Sequence, residues 1–188
     1  MVFSAELGSK SLRGEDRGEP ALIRAAQHGS EEALETLFRR HWRGAHRAAY
    51  LIVRDPQAAE DIAQESFLAA VRALNRFDRR RPFRPWLHRI VVNRAIDHTR
   101  TRALRREVSA DASPTEPVAE EMPLPEFKLA PVLVELSPER RAVIVLRYLL
   151  DYTPGEIAHM LDLPRGTVNS RLRRALDQLA AGIGEEMR

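Results

Sequence analysis

The chain has 188 residues, a formal net charge of +3 and a hydrophobic fraction of 44%, enough apolar material for a packed core and too much for wholesale disorder. There is no cysteine, which excludes disulfides and thiolate-ligated zinc. No apolar run reaches the ~18 residues of a membrane span, and the N-terminus lacks a secretory apolar region, so a cytoplasmic protein without membrane insertion is expected. The positive charge is almost all arginine, with lysine only at Lys10 and Lys128. The guanidinium fork suits phosphates and base edges, although a GC-rich coding bias would raise arginine as well.

Residues 1–19 are polar, glycine-bearing and of mixed charge, the composition of a flexible tail. From Pro20, ALIRAAQH predicts a short helix ended by Gly29. Ser30 caps a longer helix with Glu31 and Glu32 in its first turn, where the dipole favours acids. Leu34, Leu37, Phe38, Trp42, Ala45, Ala49 and Ile52 form its apolar stripe. Asp55-Pro56 opens the next helix by the same cap-plus-proline logic. Ile62, Ala63, Phe67, Ala70, Val71 and Leu74 predict its buried face. Glu60, Asp61, Gln64 and Glu65 make an acidic face, for which a solvated surface is the ordinary meaning.

Between Arg72 and Arg106 stand 12 arginines against Asp78 and Asp97, a local balance of +10. Phe77, Phe83 and Trp86 are interleaved with them. Pro82 and Pro85 predict a structured loop before a helix that starts near Trp86 and turns Leu87, Ile90, Val91 and Ile96 inward. Single-stranded nucleic acid needs this combination: arginine tracks phosphates, and aromatic or cavity-lining groups receive unstacked bases. Phe and Trp at helical spacing serve equally well as core.

From Glu107 to Glu126 the composition changes, with six acids, no Lys or Arg, and prolines at 114, 117, 123 and 125. This predicts a linker. Ser137-Pro138-Glu139 then opens a helix of strongly apolar character, AVIVLRYLL. Beyond it lies a helix-turn-helix pattern. Thr153, Pro154 and Glu156 make a capping box with proline at the first helical position. Ile157, Met160 and Leu161 share one face, and Asp162-Leu163-Pro164 interrupts the helix. The second helix starts near Arg165, with Val168, Leu172, Ala175, Leu176 and Leu179 inward and Asn169, Ser170, Arg171, Arg173 and Arg174 outward. No segment reads as a set of strands. The expected fold class is all-α, two helical domains joined by a flexible, acidic, Pro-rich linker. The six histidines form no His-x-x-x-His pair, and no phosphate loop or nucleophile motif occurs, so neither an enzyme nor a cofactor or metal is expected.

Three motifs, AEDIAQESFLAAVRAL, FRPWLHRIVVNRAIDHTR and LSPERRAVIVLRYLLDYTPGEIAHMLDLPRGTVNSRLRRAL, resemble in this order and spacing the extracytoplasmic-function (group IV) sigma factors of the sigma-70 family. The resemblance divides the chain into a tail (1–19), region 2 for core polymerase binding, −10 recognition and melting (20–106), a linker (107–130) and region 4 (131–188). It implies a partner in core RNA polymerase, through its beta and beta-prime subunits, with Asp61, Gln64 and Glu65 docking on the clamp coiled coil of the largest subunit. Phe77, Arg80, Phe83, Trp86, Arg89 and Asn93 then correspond to the −10 reader. Asn93 falls where the family uses an amide to hold a flipped base, a role that suits a group offering both donor and acceptor. Arg165, Thr167, Asn169, Ser170, Arg171, Arg173 and Arg174 correspond to the −35 reader in the major groove, with Asn169 and Arg174 expected on base edges and Arg171 on phosphate. The linker reads either as a nucleic-acid mimic in the polymerase channels or as a solvated spacer. Promoter DNA and an anti-sigma factor complete the implied partners. One departure is DRRRP after Phe77, where the family often carries a glycine. A stand-alone helix-turn-helix regulator would leave residues 55–106 unexplained. A sigma-like protein that only titrates an anti-sigma factor has no need of the outward arginines retained here.

Overall fold

The computed structural model describes residues 18–108, 133 and 135–186, and among these every regular element is helical. Helix α1 (Glu19–Gln27) begins with Pro20 in its first turn and ends before Gly29, whose φ of +87° suits only a residue without Cβ. Helix α2 (Glu31–Val53) is capped by Ser30, whose hydroxyl accepts from the Ala33 N–H at 3.3 Å. Helix α3 (Pro56–Ala73) is capped by Asp55, which accepts from the Ala58 N–H at 3.1 Å. That bond, reinforced by Arg102 at 2.9 Å, holds the Asp55 carboxyl below the ordinary carboxylate range. After a 3₁₀ turn (Leu74–Arg76) and a loop comes helix α4 (Phe83–Val108).

Helices α1 to α4 pack around Leu22, Ile23, Ile52, Leu87, Val91 and Val92. Ala45, Ala48 and Ala49 keep the α2 surface low where its neighbours cross. At Gly44 the approach is close, and an added Cβ would lie 3.4 Å from His88 Nε2. The second unit holds α5 (Pro138–Ile144), which continues as a π-helical turn (Val145–Leu149), then α6 (Pro154–Leu161) and α7 (Arg165–Glu186). Val143, Leu146, Ile157, Val168 and Ala175 are its core.

The two units pack directly on each other, α5 against α2 and α4, and α6 against α4. Polar contacts among the described residues fasten them. The buried Arg141 guanidinium donates to the carbonyls of Leu133 (2.7 Å) and Leu136 (3.1 Å) on its own side, and to Ile52 at the end of α2 (2.6 Å). Burial lowers its pKa to about 10, so it stays charged at neutral pH. Arg100 of α4 pairs with Glu139 at 2.6 Å. The Tyr152 hydroxyl bonds His88 Nδ1 at 2.9 Å, and burial pushes that imidazole down to about 3 and the phenol up to about 12.

Some boundaries differ from expectation. Glu19 belongs to α1 and not to the tail. Helix α4 starts at Phe83 rather than near Trp86, since Pro85 sits in a first turn where no N–H needs a helical acceptor, and it runs on to Val108. Val71 and Leu176, expected inside, are 46% and 42% exposed. The remainder of the tail and most of the expected linker, residues 109–130, lie outside the described residues.

Candidate nucleic-acid interface

The helix-turn-helix is built from contacts close in sequence. The Thr153 hydroxyl accepts from the Glu156 N–H at 3.3 Å, and the Glu156 carboxylate accepts from the Thr153 N–H at 2.8 Å. This reciprocal bonding, led by the Thr153 side chain at 2.7 Å, lowers the Glu156 pKa. Asp162 ends α6 in the left-handed region (φ 54°), and the Leu163 N–H donates to the Ala158 carbonyl at 2.9 Å. The Thr167 and Val168 amides donate to the Pro164 carbonyl, which starts α7 within two residues of the break. Ile157, Met160, Val168, Leu172 and Ala175 lock the two helices together. Opposite that seam, Arg165, Asn169, Arg173 and Arg174 are exposed, and Thr167, Ser170 and Arg171 are half-buried beside them. Among the described residues no ion pair engages these four arginines. All seven residues expected to read the −35 element therefore lie on α7 outside the buried seam and keep access to solvent. The Ser170 hydroxyl already donates to the Thr167 carbonyl at 2.9 Å, so it is left with acceptor capacity only.

The arginine-rich stretch is built differently. Phe77, Phe83 and Trp86 form an aromatic cluster with centroids 4.6 to 5.7 Å apart, and His41 lies 5.0 Å from Phe83. Phe77 and Phe83 are 7% and 3% exposed, so of the two readings open for the aromatics these two follow the core one. Their burial leaves the intervening loop to present its polar residues. Asp78 accepts from the Arg80 N–H through its side chain (3.0 Å) and from the Arg81 N–H through its carbonyl (2.9 Å). This tight turn leaves Arg79, Arg80 and Arg81 exposed. On α4, Asn93 is exposed and Arg89 and Trp86 are half-buried.

On α3, Asp61, Gln64 and Glu65 are all exposed. Glu65 pairs with Arg94 of α4 at 2.8 Å, and Gln64 donates to Glu60 at 3.2 Å. An apolar groove of about 420 Å³ runs beside Gln64, lined by Leu34, Phe38, Leu68 and Val71 among others. Leu68 is 56% exposed. Sequence reasoning missed this apolar margin by assigning Val71 to the core. The apolar positions of α3 span more than one face, and that width was the available signal.

One chain thus carries two separate basic surfaces, one of them a helix-turn-helix, and an acidic face bordered by exposed apolar side chains. These features define a DNA-reading protein with a docking surface. Two family models match it: Sigma-70 region 2 over residues 37–105 and Sigma-70, region 4 over residues 132–181. The chain is 36% identical over 174 residues to the ECF RNA polymerase sigma factor SigM of Mycobacterium tuberculosis, covering 90% of this chain and 86% of SigM. It is 28% identical over 172 residues to SigW of Bacillus subtilis, covering 84% and 92%. The solved structure of CnrH in complex with the cytosolic domain of CnrY is similar with a TM-score of 0.67 at 30% identity, over 89% of this chain and 97% of that one. The chain belongs to the sigma-70 family, in its extracytoplasmic-function group. It is a transcription initiation factor and not an enzyme: it binds core RNA polymerase and directs it to promoters through −10 and −35 elements. No helix among the described residues is long and apolar enough to cross a membrane.

Proposed function

We propose a division of labour among the three surfaces. Arg80, Arg89 and Asn93 meet the −10 element, with Arg80 and Arg89 on phosphates and Asn93 holding a base flipped from the non-template strand. Phe77, Phe83 and Trp86 support that surface, and Trp86 is half-buried where the other two are buried. Asn169 and Arg174 take base edges of the −35 element and Arg171 a phosphate, while Arg165, Thr167, Ser170 and Arg173 fix the register of α7 in the major groove. Asp61, Gln64 and Glu65 dock on the polymerase clamp, with Leu68 and Val71 adding apolar area. The observation that carries this reading is the placement of exposed donors on two surfaces that belong to the two matched regions. An anti-sigma factor is the natural regulator, by analogy with CnrH held by CnrY. The protein acts in the cytoplasm, where polymerase and template are.

Asn93→Ala tests the central assignment. In a reconstituted holoenzyme it should impair promoter opening, read by reactivity of unpaired thymines, while affinity for core polymerase is unchanged. Loss of polymerase affinity instead would contradict the role given to Asn93.

A further inference from the structure

The −10 loop is held from a helix that lies outside the matched region 2, since α1 ends at Gln27 and the match starts at residue 37. The Gln27 side-chain amide donates to the carbonyls of Leu74 (2.9 Å) and Phe77 (3.0 Å), 47 and 50 residues away, at the point where the chain leaves α3 for the loop. At the other end of α1, Glu19 receives the Phe83 N–H at 3.3 Å, where the chain leaves the loop for α4. Phe83 is the first residue of α4, so its N–H has no helical acceptor. Glu19 caps it from another helix and sets a negative charge at the positive end of the α4 dipole. The second Glu19 oxygen bonds His41 Nε2 at 2.9 Å. A carboxylate only accepts, so Nε2 carries the proton. Burial lowers the His41 pKa despite this partner, and the buried ring keeps the carboxylate from swinging away.

Glu19 and Gln27 are eight residues apart on one helix, about 12 Å along its axis. The fully buried Leu22 and Ile23 anchor that helix in the core. The two ends of the loop are therefore held to one rigid spacer. Between them, among the described residues, the Asp78 turn shapes the chain that presents Arg79, Arg80 and Arg81. We propose that Glu19 and Gln27 are positioning residues for −10 recognition: they clamp both ends of the 77–83 loop and so set its base preference and its efficiency in opening DNA. Neither touches DNA. The proposal rests on reading the loop as the −10 reader.

The test uses the full chain reconstituted with core polymerase on promoters varied at each −10 position. Gln27→Ala and Glu19→Ala should reduce open-complex formation by about tenfold and flatten the −10 base preference, with polymerase affinity and −35 preference unchanged. Glu19→Gln keeps an acceptor for the Phe83 N–H and should restore most of the activity. Gln27→Met keeps the side-chain volume without the donors and should behave like Gln27→Ala, with a melting temperature close to that of the parent. Arg80→Ala is measured in parallel. If Arg80→Ala reduces open-complex formation while both clamp variants leave opening and −10 preference intact, the clamp is overturned and the −10 reading stands. If Arg80→Ala and Asn93→Ala both leave opening intact, the −10 reading falls and the clamp with it. A loss of polymerase affinity in Gln27→Met that matches its loss of opening would also overturn the clamp, by reducing Gln27 to a general structural residue.

Discussion

The two surfaces proposed to meet DNA are built by opposite routes. The α6–α7 unit is made from neighbours: a capping box four residues long, a break at Asp162 and a seam of five buried side chains between Ile157 and Ala175. The 77–83 loop has little local structure beyond the Asp78 turn. It is held by Gln27 and Glu19 across sequence separations of 47 to 64 residues, over a cluster of aromatics at its base. A reader of duplex DNA needs a rigid rod that fits a groove. A reader that takes unpaired bases needs an irregular loop, and the rest of its domain has to supply the order that a helix provides for itself.

Perturbations that separate the two should do so in a graded way. The largest effect is expected at the joint between the units. Arg141→Met would leave three carbonyls without their donor in a buried place. It should cost about 2–4 kcal/mol in urea unfolding, and a loss within experimental error would show that the joint is dispensable. Next, Arg174→Ala should cost about 1–3 kcal/mol at the −35 element and leave −10 preference unchanged. An altered −10 preference would mean that the readers are not independent.

Acid should act on the first unit. The buried His88 refuses a proton down to about pH 3, whereas the unfolded chain takes one near 6.5. The unfolded state therefore binds more protons in that window. Stability from this group is complete above pH 6.5 and falls on acidification by up to about 1.4 kcal/mol per pH unit. His41, also lowered by burial, adds to the slope. Denaturation midpoints measured from pH 7.5 to 4.5 would show it, and a flat profile would contradict neutral burial of both rings. The smallest effect is the local one. Thr153→Ala should cost about 1 kcal/mol, with faster amide exchange confined to α6.

The same contrast explains what was legible in the sequence. Ser30, Asp55, Ser137 and Thr153 each mark a helix start that the structure reproduces with a bond to the third residue on. Capping is encoded within four residues, and the all-helical class and the α6–α7 face follow from such local signals. The sequence puts the start of α4 late because Pro85 looks like a barrier, when in a first turn it is none. Gln27 and Glu19 carried no signal, since nothing local tells a polar residue on a short helix that its partner lies 50 residues downstream. Periodicity points Val71 inward because it counts apolar residues and cannot tell core from an exposed apolar margin. His88, read only as one of six scattered histidines, is a buried contact between the units.

The proposed grip at two separate points works only when polymerase holds both. The direct measurement is transcription by the chain reconstituted with core RNA polymerase on a genomic promoter library, with start sites mapped and DNA binding by the free chain measured beside it. Start sites that share both a −10 and a −35 sequence at fixed spacing are expected, with weak promoter binding by the free chain. Start sites that share only one element, or tight and specific binding without polymerase, would contradict it.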